Sequence, residues 1–484
     1  MSKRIAVIDL GSNSARLAIF ERTSRLGFFI LREYKVKVRL GHGAYENGGM
    51  LQDAAIAEVL EALSEFKTYI KLYKVRKIIA GGTSALRDAP NKAVFLTRLK
   101  NELGITMKVI SGEEEASLGG IAASNLLPLL EDALCVDIGG GSTELARIKD
   151  GKMIAATSLN LGTVRLKELF YDKGDLKGAA QFIKDKINAL NAEFKSEQIV
   201  AIGGSLRAIS KAIMERSNYA YKVLHGFCYE LRKEGAFIKK IATAKPNDLK
   251  ELCIKKERFD TITGGASIFD ALCAFAGAKS VITSGVGVRE GLFLRTILRP
   301  SMRFPKGFNP SLKSLSERFC VIDNAPIVRF SRLLFKELAP LHALGEYELG
   351  LLSAAARVFN VGRAIGYYSE AQNSAYIVRS GLNYGYTHEQ ICAIAAICEL
   401  NSTEFSKADL GEFAGIILGK NLNITALKWL CYILALARNL GVYAGVSARF
   451  HLGVLIISGA SELALLKANI KKLVEPIKFE IIFE

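Results

Sequence analysis

The chain repeats itself. Ile5-Ala-Val-Ile-Asp-Leu-Gly-Ser-Asn-Ser-Ala-Arg-Leu-Ala18 aligns with Ala133-Leu-Cys-Val-Asp-Ile-Gly-Gly-Gly-Ser-Thr-Glu-Leu-Ala146 at a constant offset of 128 residues. Asp9 falls on Asp137, Gly11 on Gly139, Ser14 on Ser142 and Leu17 on Leu145. Each copy reads as an apolar strand ending in an acid, a Gly-rich turn, and a second apolar strand. A single turn of this kind is common. Two matching copies are a duplication, and consecutive glycines cost chain entropy that a mere scaffold does not explain. The duplication predicts two similar lobes facing each other across a cleft.

At 484 residues the chain has room for about three domains of ~150 residues. Up to about residue 298, short β-rich runs alternate with helical patterns, as in an α/β protein. Ile5–Leu10, Lys77–Ala80, Met107–Ile110, Leu134–Ile138, Ile199–Ile202 and Ser280–Thr283 read as buried strands ending in Gly, Ser or an acid. Asp53–Leu72 reads as a helix packed on the first lobe. Three of the nine prolines fall between Arg299 and Pro310, which marks a linker. From Ser311 apolar residues recur at three- and four-residue spacing, as across Ser331–Leu338 and Glu346–Val358, so the remainder reads as helical. The expected organisation is a first lobe over 1–122, a second over 123–298, a linker over 299–310 and a helical domain over 311–484.

Lys and Arg number 65 against 48 Asp and Glu, a net charge of +17. The first 300 residues hold 46 of the basic and 33 of the acidic residues, so most of the surplus lies on the duplicated part. That favours an acidic partner such as a phosphate compound. Lys3 and Arg4 precede only four apolar residues before Asp9, too few for a secretory core. The most apolar stretch, 431–466, is interrupted by Arg438, Arg449 and His451 and reads as buried helix, so no membrane association is expected. The eight cysteines are scattered without a CxxC pair, which favours reduced thiols and a cytoplasmic protein. The five histidines lie far apart, with no HxxxH or HExxH, so no zinc site is expected.

An Asp before a Gly-rich turn has a chemical use. The glycines let backbone N–H groups approach an anion, the hydroxyls add donors, and the Asp holds a cation or a metal-bound water. The two copies differ where Glu144 corresponds to Arg16. Asp137 with Glu144 makes one lobe acidic and suited to Mg2+, whereas Arg16 suits a phosphate or an acid partner. The acidic run Glu113-Glu-Glu115 follows a strand and opens a helix. Its members complement the helix dipole, and one of them can act as general base for a water; the run itself does not select which. Gly-rich turns at Gly81–Arg87, Ile202–Arg207 and Ser284–Gly291 each carry an Arg beyond their glycines. Together they predict several phosphate contacts around one cleft.

Six ordered motifs carry a family resemblance: Asp9-Leu-Gly-Ser-Asn-Ser14, Gly82-Thr-Ser-Ala-Leu-Arg-Asp-Ala-Pro-Asn91, Ile110-Ser-Gly-Glu-Glu-Glu-Ala116, Asp137-Ile-Gly-Gly-Gly-Ser-Thr-Glu144, Leu161-Gly-Thr-Val-Arg165 and Arg289-Glu-Gly291. In these the sequence resembles the exopolyphosphatase / guanosine pentaphosphate phosphatase family over about residues 4–300. The resemblance implies two actin-like (ribonuclease H-like) α/β lobes with a cleft between them, then an all-α C-terminal domain resembling a degenerate HD domain. It implies Glu115 as the catalytic glutamate and Asp137 and Glu144 as the metal site. Phosphate contacts are implied at Gly11, Ser12, Asn13, Ser14, Thr83, Arg87, Gly139, Gly140, Gly141, Ser142 and Thr143, and further at Gly203, Gly204, Ser205 and Arg289. Leu206 stands where the family has a glycine, a departure expected to hold that loop farther from a phosphate.

The implied cofactor is Mg2+, with Mn2+ as the alternative and no organic cofactor. The implied substrates are inorganic polyphosphate, guanosine pentaphosphate or both, handled by a homodimer that binds no specific nucleic acid. The stretch Leu351–Gly362 follows the HD pattern, but Phe359-Asn360 replaces the His-Asp pair and Asn373 replaces a further His. Phe cannot ligate a metal and Asn replaces a carboxylate poorly, so no HD chemistry is expected. A reading of a different class is a binding or assembly module on the same fold. Glu115, Asp137 and Glu144 together argue against it, because binding alone needs no base.

Overall fold

The sequence repeat is a repeat of β-hairpins. The computed structural model describes residues 3–41, 43–44, 46–400, 404–419 and 421–484, so His42 lies outside the described residues. β1 (Arg4–Leu10) pairs antiparallel with β2 (Ser14–Arg22), from Arg4↔Glu21 to Leu10↔Ala15. β3 (Phe28–Lys37) extends the hairpin, α1 (Asp53–Leu72) follows, and β4 (Lys77–Gly82) lies parallel to β1 on its other side. After α2 (Ser84–Asp88) and α3 (Lys92–Leu103), the short β5 (Lys108–Val109) completes the order β3-β2-β1-β4-β5.

α4 (Gly112–Leu126) leads to the second hairpin, β6 (Asp132–Ile138) with β7 (Thr143–Lys149). Then come β8 (Lys152–Leu159), α5 (Thr163–Leu169), α6 (Leu176–Asn188), β9 (Gln198–Ile202) and α7 (Gly204–Arg216). β10 (Cys228–Glu230), α8 (Leu231–Thr243), α9 (Ile262–Ala276), β11 (Ser280–Thr283) and α10 (Val288–Ile297) follow. The order β8-β7-β6-β9-β11 reproduces the first sheet strand for strand, with β10 added outside β11. The register is reproduced as well: Asp9 faces Arg16 in one hairpin, and Asp137 faces Glu144 in the other.

Alternation along the strands divides each hairpin into two faces. Ala6, Ile8 and Leu10 join a core with α1, whose Ile56, Val59, Leu63, Phe66 and Ile70 form one helical stripe. Leu134, Val136 and Ile138 join the equivalent core with α7 and α9. The other faces are covered by exchange. The sequence reading assigns 112–122 to the first lobe and 288–298 to the second, and the packing reverses both. α4 lies on the second sheet, where Ala123 and Leu127 meet Cys135, Ala146 and Ile148. α10 lies on the first, where the Phe293 ring stacks on Phe20 at 4.2 Å and meets Phe28 at 4.7 Å. Every residue of α10 from Val288 to Leu294 is buried, so no one-sided stripe marks its partner. α4 and α10 also touch each other, closely enough that a Cβ on Gly291 would lie 2.3 Å from the Leu118 carbonyl oxygen.

The expected linker is tied down over its first part. Asn125 of α4 donates to the Met302 carbonyl at 3.0 Å and accepts from the Phe304 N–H at 3.1 Å. The chain divides into two compact units, Met1–Phe308 and Asn309–Glu484. In the second unit Asn309 caps the helix Pro310–Phe319 through the Leu312 N–H, at 2.9 Å. Helices Ala325–Glu337, Glu346–Val358, His388–Glu399 and Ile424–Leu440 follow, with Trp429 and Tyr432 fully buried. Asn360 exchanges two amide hydrogen bonds with Asn324, at 2.8 and 3.2 Å, and Phe359 lies under the Arg438 guanidinium at 4.7 Å. The HD positions thus hold an amide pair and a packed ring.

Two expectations for this unit are corrected. The stretch 431–466 is helical to Leu440 and again from Ala464, with two strands in between, and the unit is not all-α. β12 (Ser447–His451), β13 (Val454–Ser458) and β14 (Glu480–Phe483) form a small sheet in that order. Leu452 at φ 47° and Gly453 at φ 84° supply the two left-handed residues of a tight hairpin turn. Beyond it Leu455 and Ile457 are fully buried and alternate with more exposed neighbours, a period of two that overall apolarity conceals. Among the described residues no helix is long and apolar enough to cross a membrane.

Gly291→Ala is expected to push α10 off α4 and to cost about 1–3 kcal/mol, as overpacking in a dense contact does. A lowered urea midpoint with an unchanged slope measures it.

Candidate active site

The two hairpin turns close in the same way. Gly11 N–H donates to the Ser14 carbonyl at 3.1 Å, and Gly139 N–H to the Ser142 carbonyl at 2.9 Å. Both turns open onto one cleft enclosing about 120 Å³. The exchanged helices place their first turns in it. Asp137 and Glu144 lie on the sheet face that α4 covers, and α4 brings Glu115 there; Asp9 and Arg16 lie on the face that α10 covers, and α10 brings Arg289 and Glu290.

The geometry selects among the three acids of α4. Glu114 is paired with Lys108 at 2.7 Å and with Arg295, Glu113 is exposed, and Glu115 lines the cleft. Arg87 Nη1 donates to Glu115 Oε2 at 2.9 Å and to the Ile110 carbonyl at 3.1 Å; its Nη2 reaches Ser142 Oγ at 3.3 Å. The same Nη2 lies 3.8 Å from Glu144 Oε1. Glu144 sits behind the turn, accepting from Ser142 Oγ at 2.6 Å and Ser158 Oγ at 2.9 Å. One guanidinium therefore bridges the first lobe, the proposed base and the acidic hairpin.

The turn at Gly139–Gly141 is held from behind by α5. Thr163 N–H donates to the Gly139 carbonyl at 3.0 Å, and Val164 and Arg165 N–H groups to the Gly140 carbonyl at 2.8 and 3.1 Å. Arg165 Nε takes the Gly141 carbonyl at 2.8 Å. With its carbonyls engaged there, the turn has donors left for an anion. The approach requires Gly162, since a Cβ there would lie 2.4 Å from the Gly140 oxygen.

Gly11, Ser12, Asn13, Ser14, Thr83, Gly139, Gly140, Gly141, Ser142, Gly203, Gly204, Ser205 and Arg289 all line the cleft. Arg289 also pairs with Glu33 of β3 at 2.7 Å. Thr143 is different: its side chain is fully buried and its hydroxyl donates to the Leu161 carbonyl at 2.6 Å, so it anchors the strand. Leu206 turns into the second-lobe core, and the turn before it still lines the cleft. Gly203 has φ 89°, and a Cβ there would strike Asp137 Oδ1 at 2.4 Å.

Burial raises the proton affinity of Asp9, Glu115, Asp137 and Glu144. For Asp9 and Asp137 burial dominates, with nearby arginines opposing it. Glu115 is pushed well above the usual range by burial and by Glu144, against the pull of Arg87. Glu144 rises through burial and the charge of Asp137. Asp137 and Glu144 are directly opposite each other, and a divalent cation held by them would relieve that repulsion. Among the described residues no three His, Cys, Asp or Glu side chains converge tightly enough to hold an ion alone. Mg2+ commonly uses one or two carboxylates with water and substrate oxygens, so this pair fits it.

On the other wall of the cleft, sequence reasoning offered Arg16 and Arg207 to a phosphate but missed Lys35 and Arg258. Arg16 faces Lys35 across β2 and β3, and Arg207 and Arg258 join them. Burial and the charges of Arg258 and Arg16 hold the Lys35 ammonium down to about 8. Burial, Arg16 and Arg289 bring Arg207 down to about 10. Such mutual repulsion marks a place for an anion. The alternation of Lys35 and Lys37 at the end of β3 was a usable signal; Arg258, on a short turn after Lys255, carries no motif. Ser84 Oγ, buried in the cleft wall, makes no hydrogen bond within the described protein.

Comparison with known proteins bears on this cleft directly. The model of the Ppx/GppA phosphatase family matches residues 18–300. The chain belongs to the Ppx/GppA phosphatase family. A guanosine-5'-triphosphate,3'-diphosphate pyrophosphatase of Pseudoalteromonas translucida is 26% identical over 416 residues, covering 83% of this chain and 81% of that protein. The crystal structure of the Aquifex aeolicus Ppx/GppA member is 27% identical with a TM-score of 0.53, covering 62% of this chain and 99% of that one. An exopolyphosphatase structure from Cytophaga hutchinsonii, 22% identical with a TM-score of 0.56, covers 62% of this chain and all of its own, and shares the fold. This Ppx/GppA phosphatase is accordingly a hydrolase of phosphoanhydride bonds.

Lys35 gives the cleft a pH signature. The ammonium is charged below about 8 and neutral above it, so affinity for inorganic triphosphate is expected to fall as pH rises through that value. Lys35→Arg is expected to remove the inflection in isothermal titrations at a series of pH values.

Proposed function

We propose that this Ppx/GppA phosphatase is an exopolyphosphatase that releases orthophosphate from the end of inorganic polyphosphate. The observation that carries the reading is the division of the cleft. Arg87 sits between Glu115 and Glu144 of the acidic pair on one side, and Arg16, Lys35, Arg207 and Arg258 line the other. A chain of phosphates suits both sides at once. The terminal phosphate would lie against the turns at Gly11–Ser14 and Gly139–Ser142, with the following phosphates on the cationic wall.

Arg87 would leave Glu115 for the phosphate oxygens as the substrate enters. The freed, buried carboxylate would then accept a proton from the attacking water, while Arg87 and the turn N–H groups stabilise charge on the phosphoryl group. Asp137 and Glu144 would hold Mg2+ or Mn2+, which when bound supplies charge neutralisation at the transferring phosphoryl. Hydrolysis of guanosine pentaphosphate is the second reading, favoured by the activity for which the Pseudoalteromonas relative is named and suited to the same cleft.

Phosphate release from long-chain polyphosphate and from guanosine pentaphosphate, measured side by side with Mg2+, separates the two. Glu115→Gln is expected to lower kcat by ~10²–10⁴-fold with either substrate. Loss of turnover with binding retained in the wild type would make the cleft a binding site only. Asp137→Asn is expected to raise the Mg2+ concentration needed for half-maximal rate, and chelation to abolish release until the metal is restored.

A further inference from the structure

Two motif residues have no part in the chemistry above, and the fold brings them together. Arg165 belongs to the Leu161–Arg165 motif of the second lobe, and Asp88 follows Arg87 in the first. Arg165 Nη2 donates to Asp88 Oδ2 at 2.8 Å across the cleft. The same guanidinium, through Nε, takes the Gly141 carbonyl at 2.8 Å. The other oxygen of Asp88 lies 3.9 Å from Arg87 Nε. Both Arg165 and Asp88 are largely buried, with side chains 15% and 27% exposed, so the pair is shielded from solvent more than a surface ion pair is.

We infer that Arg165 and Asp88 are positioning residues that couple closure of the two lobes to the setting of the Gly139–Ser142 turn and of Arg87. The guanidinium is a planar fork, and its donors bridge the turn's last glycine carbonyl and the opposite lobe. Closing the cleft seats Asp88 on the fork, and the fork fixes the turn. Opening it releases one leg, and Asp88 no longer braces Arg87. The terminal phosphate would thus meet a correctly set turn only in the closed cleft. This inference rests on the hydrolytic reading of the cleft.

The test compares Asp88→Asn, Arg165→Met and the double variant. Each single change is expected to lower kcat for polyphosphate about tenfold or more with KM changed less than about threefold, because geometry rather than binding is lost. The double variant is expected to be no slower than Arg165→Met, since the two residues act as one link. Asp88→Glu, which keeps the charge, is expected to recover part of the rate lost in Asp88→Asn. Amide exchange over residues 138–145 is expected to quicken in Asp88→Asn at unchanged thermal midpoint. Additive losses in the double variant, or unchanged exchange in Asp88→Asn, would overturn the inference. If Arg165→Met does not fold, Asp88→Asn and its exchange decide alone. A wild type that releases no phosphate sinks the hydrolytic reading instead, and the exchange measurement still tests the link.

Discussion

Like charges set opposite each other on paired strands are the constraint around which this cleft is organised. Asp137 faces Glu144 in one hairpin, and Arg16 faces Lys35 where the other hairpin meets its third strand. Cross-strand pairs of one sign are unfavourable even on a wet surface, and burial makes them more so. Asp9 opposite Arg16, and Arg87, Arg207 and Arg16 near the acidic pair, offset these repulsions only in part. The cleft therefore holds like-charge repulsion of both signs within a short distance. A polyanion bound together with a cation would offset both at once.

Holding that repulsion requires stiff surroundings. α5 grips the second turn through consecutive N–H groups and the Arg165 side chain. α4 and α10 each cap the inner face of one hairpin and press against each other along Gly291. Glycine recurs where backbone meets backbone: Gly162 under Gly140, and Gly291 against Leu118. These are close approaches that no side chain fits, not flexible points.

Much of this was legible before any coordinates. The fixed offset between the two copies implied equal registers, and Asp9↔Arg16 and Asp137↔Glu144 are indeed equivalent pairs. The strands, α1 and the Gly-rich turns carried local signals of period and turn chemistry, and the turns converge on one cleft. What escaped was non-local. A helix buried on every side, such as α10, has no stripe to reveal which sheet it covers. Arg258 approaches Arg16 only through tertiary folding, and the resemblance extended the expected phosphate contacts to Thr143, whose hydroxyl turns to the Leu161 carbonyl instead. The β12–β13 hairpin was hidden inside a stretch whose overall apolarity outweighed its alternation.

The exchange of α4 and α10 also fixes an order of events during synthesis. Phe20 and Phe28 emerge well before their partner Phe293, which follows the whole second sheet. The first lobe therefore cannot seal its inner face until the second sheet and α10 have left the ribosome. Contacts of such long sequence separation form late and slowly. Until then a strand surface carrying two exposed phenylalanines is open to association with other chains. Of the two lobes, the one made first is the one that finishes folding second.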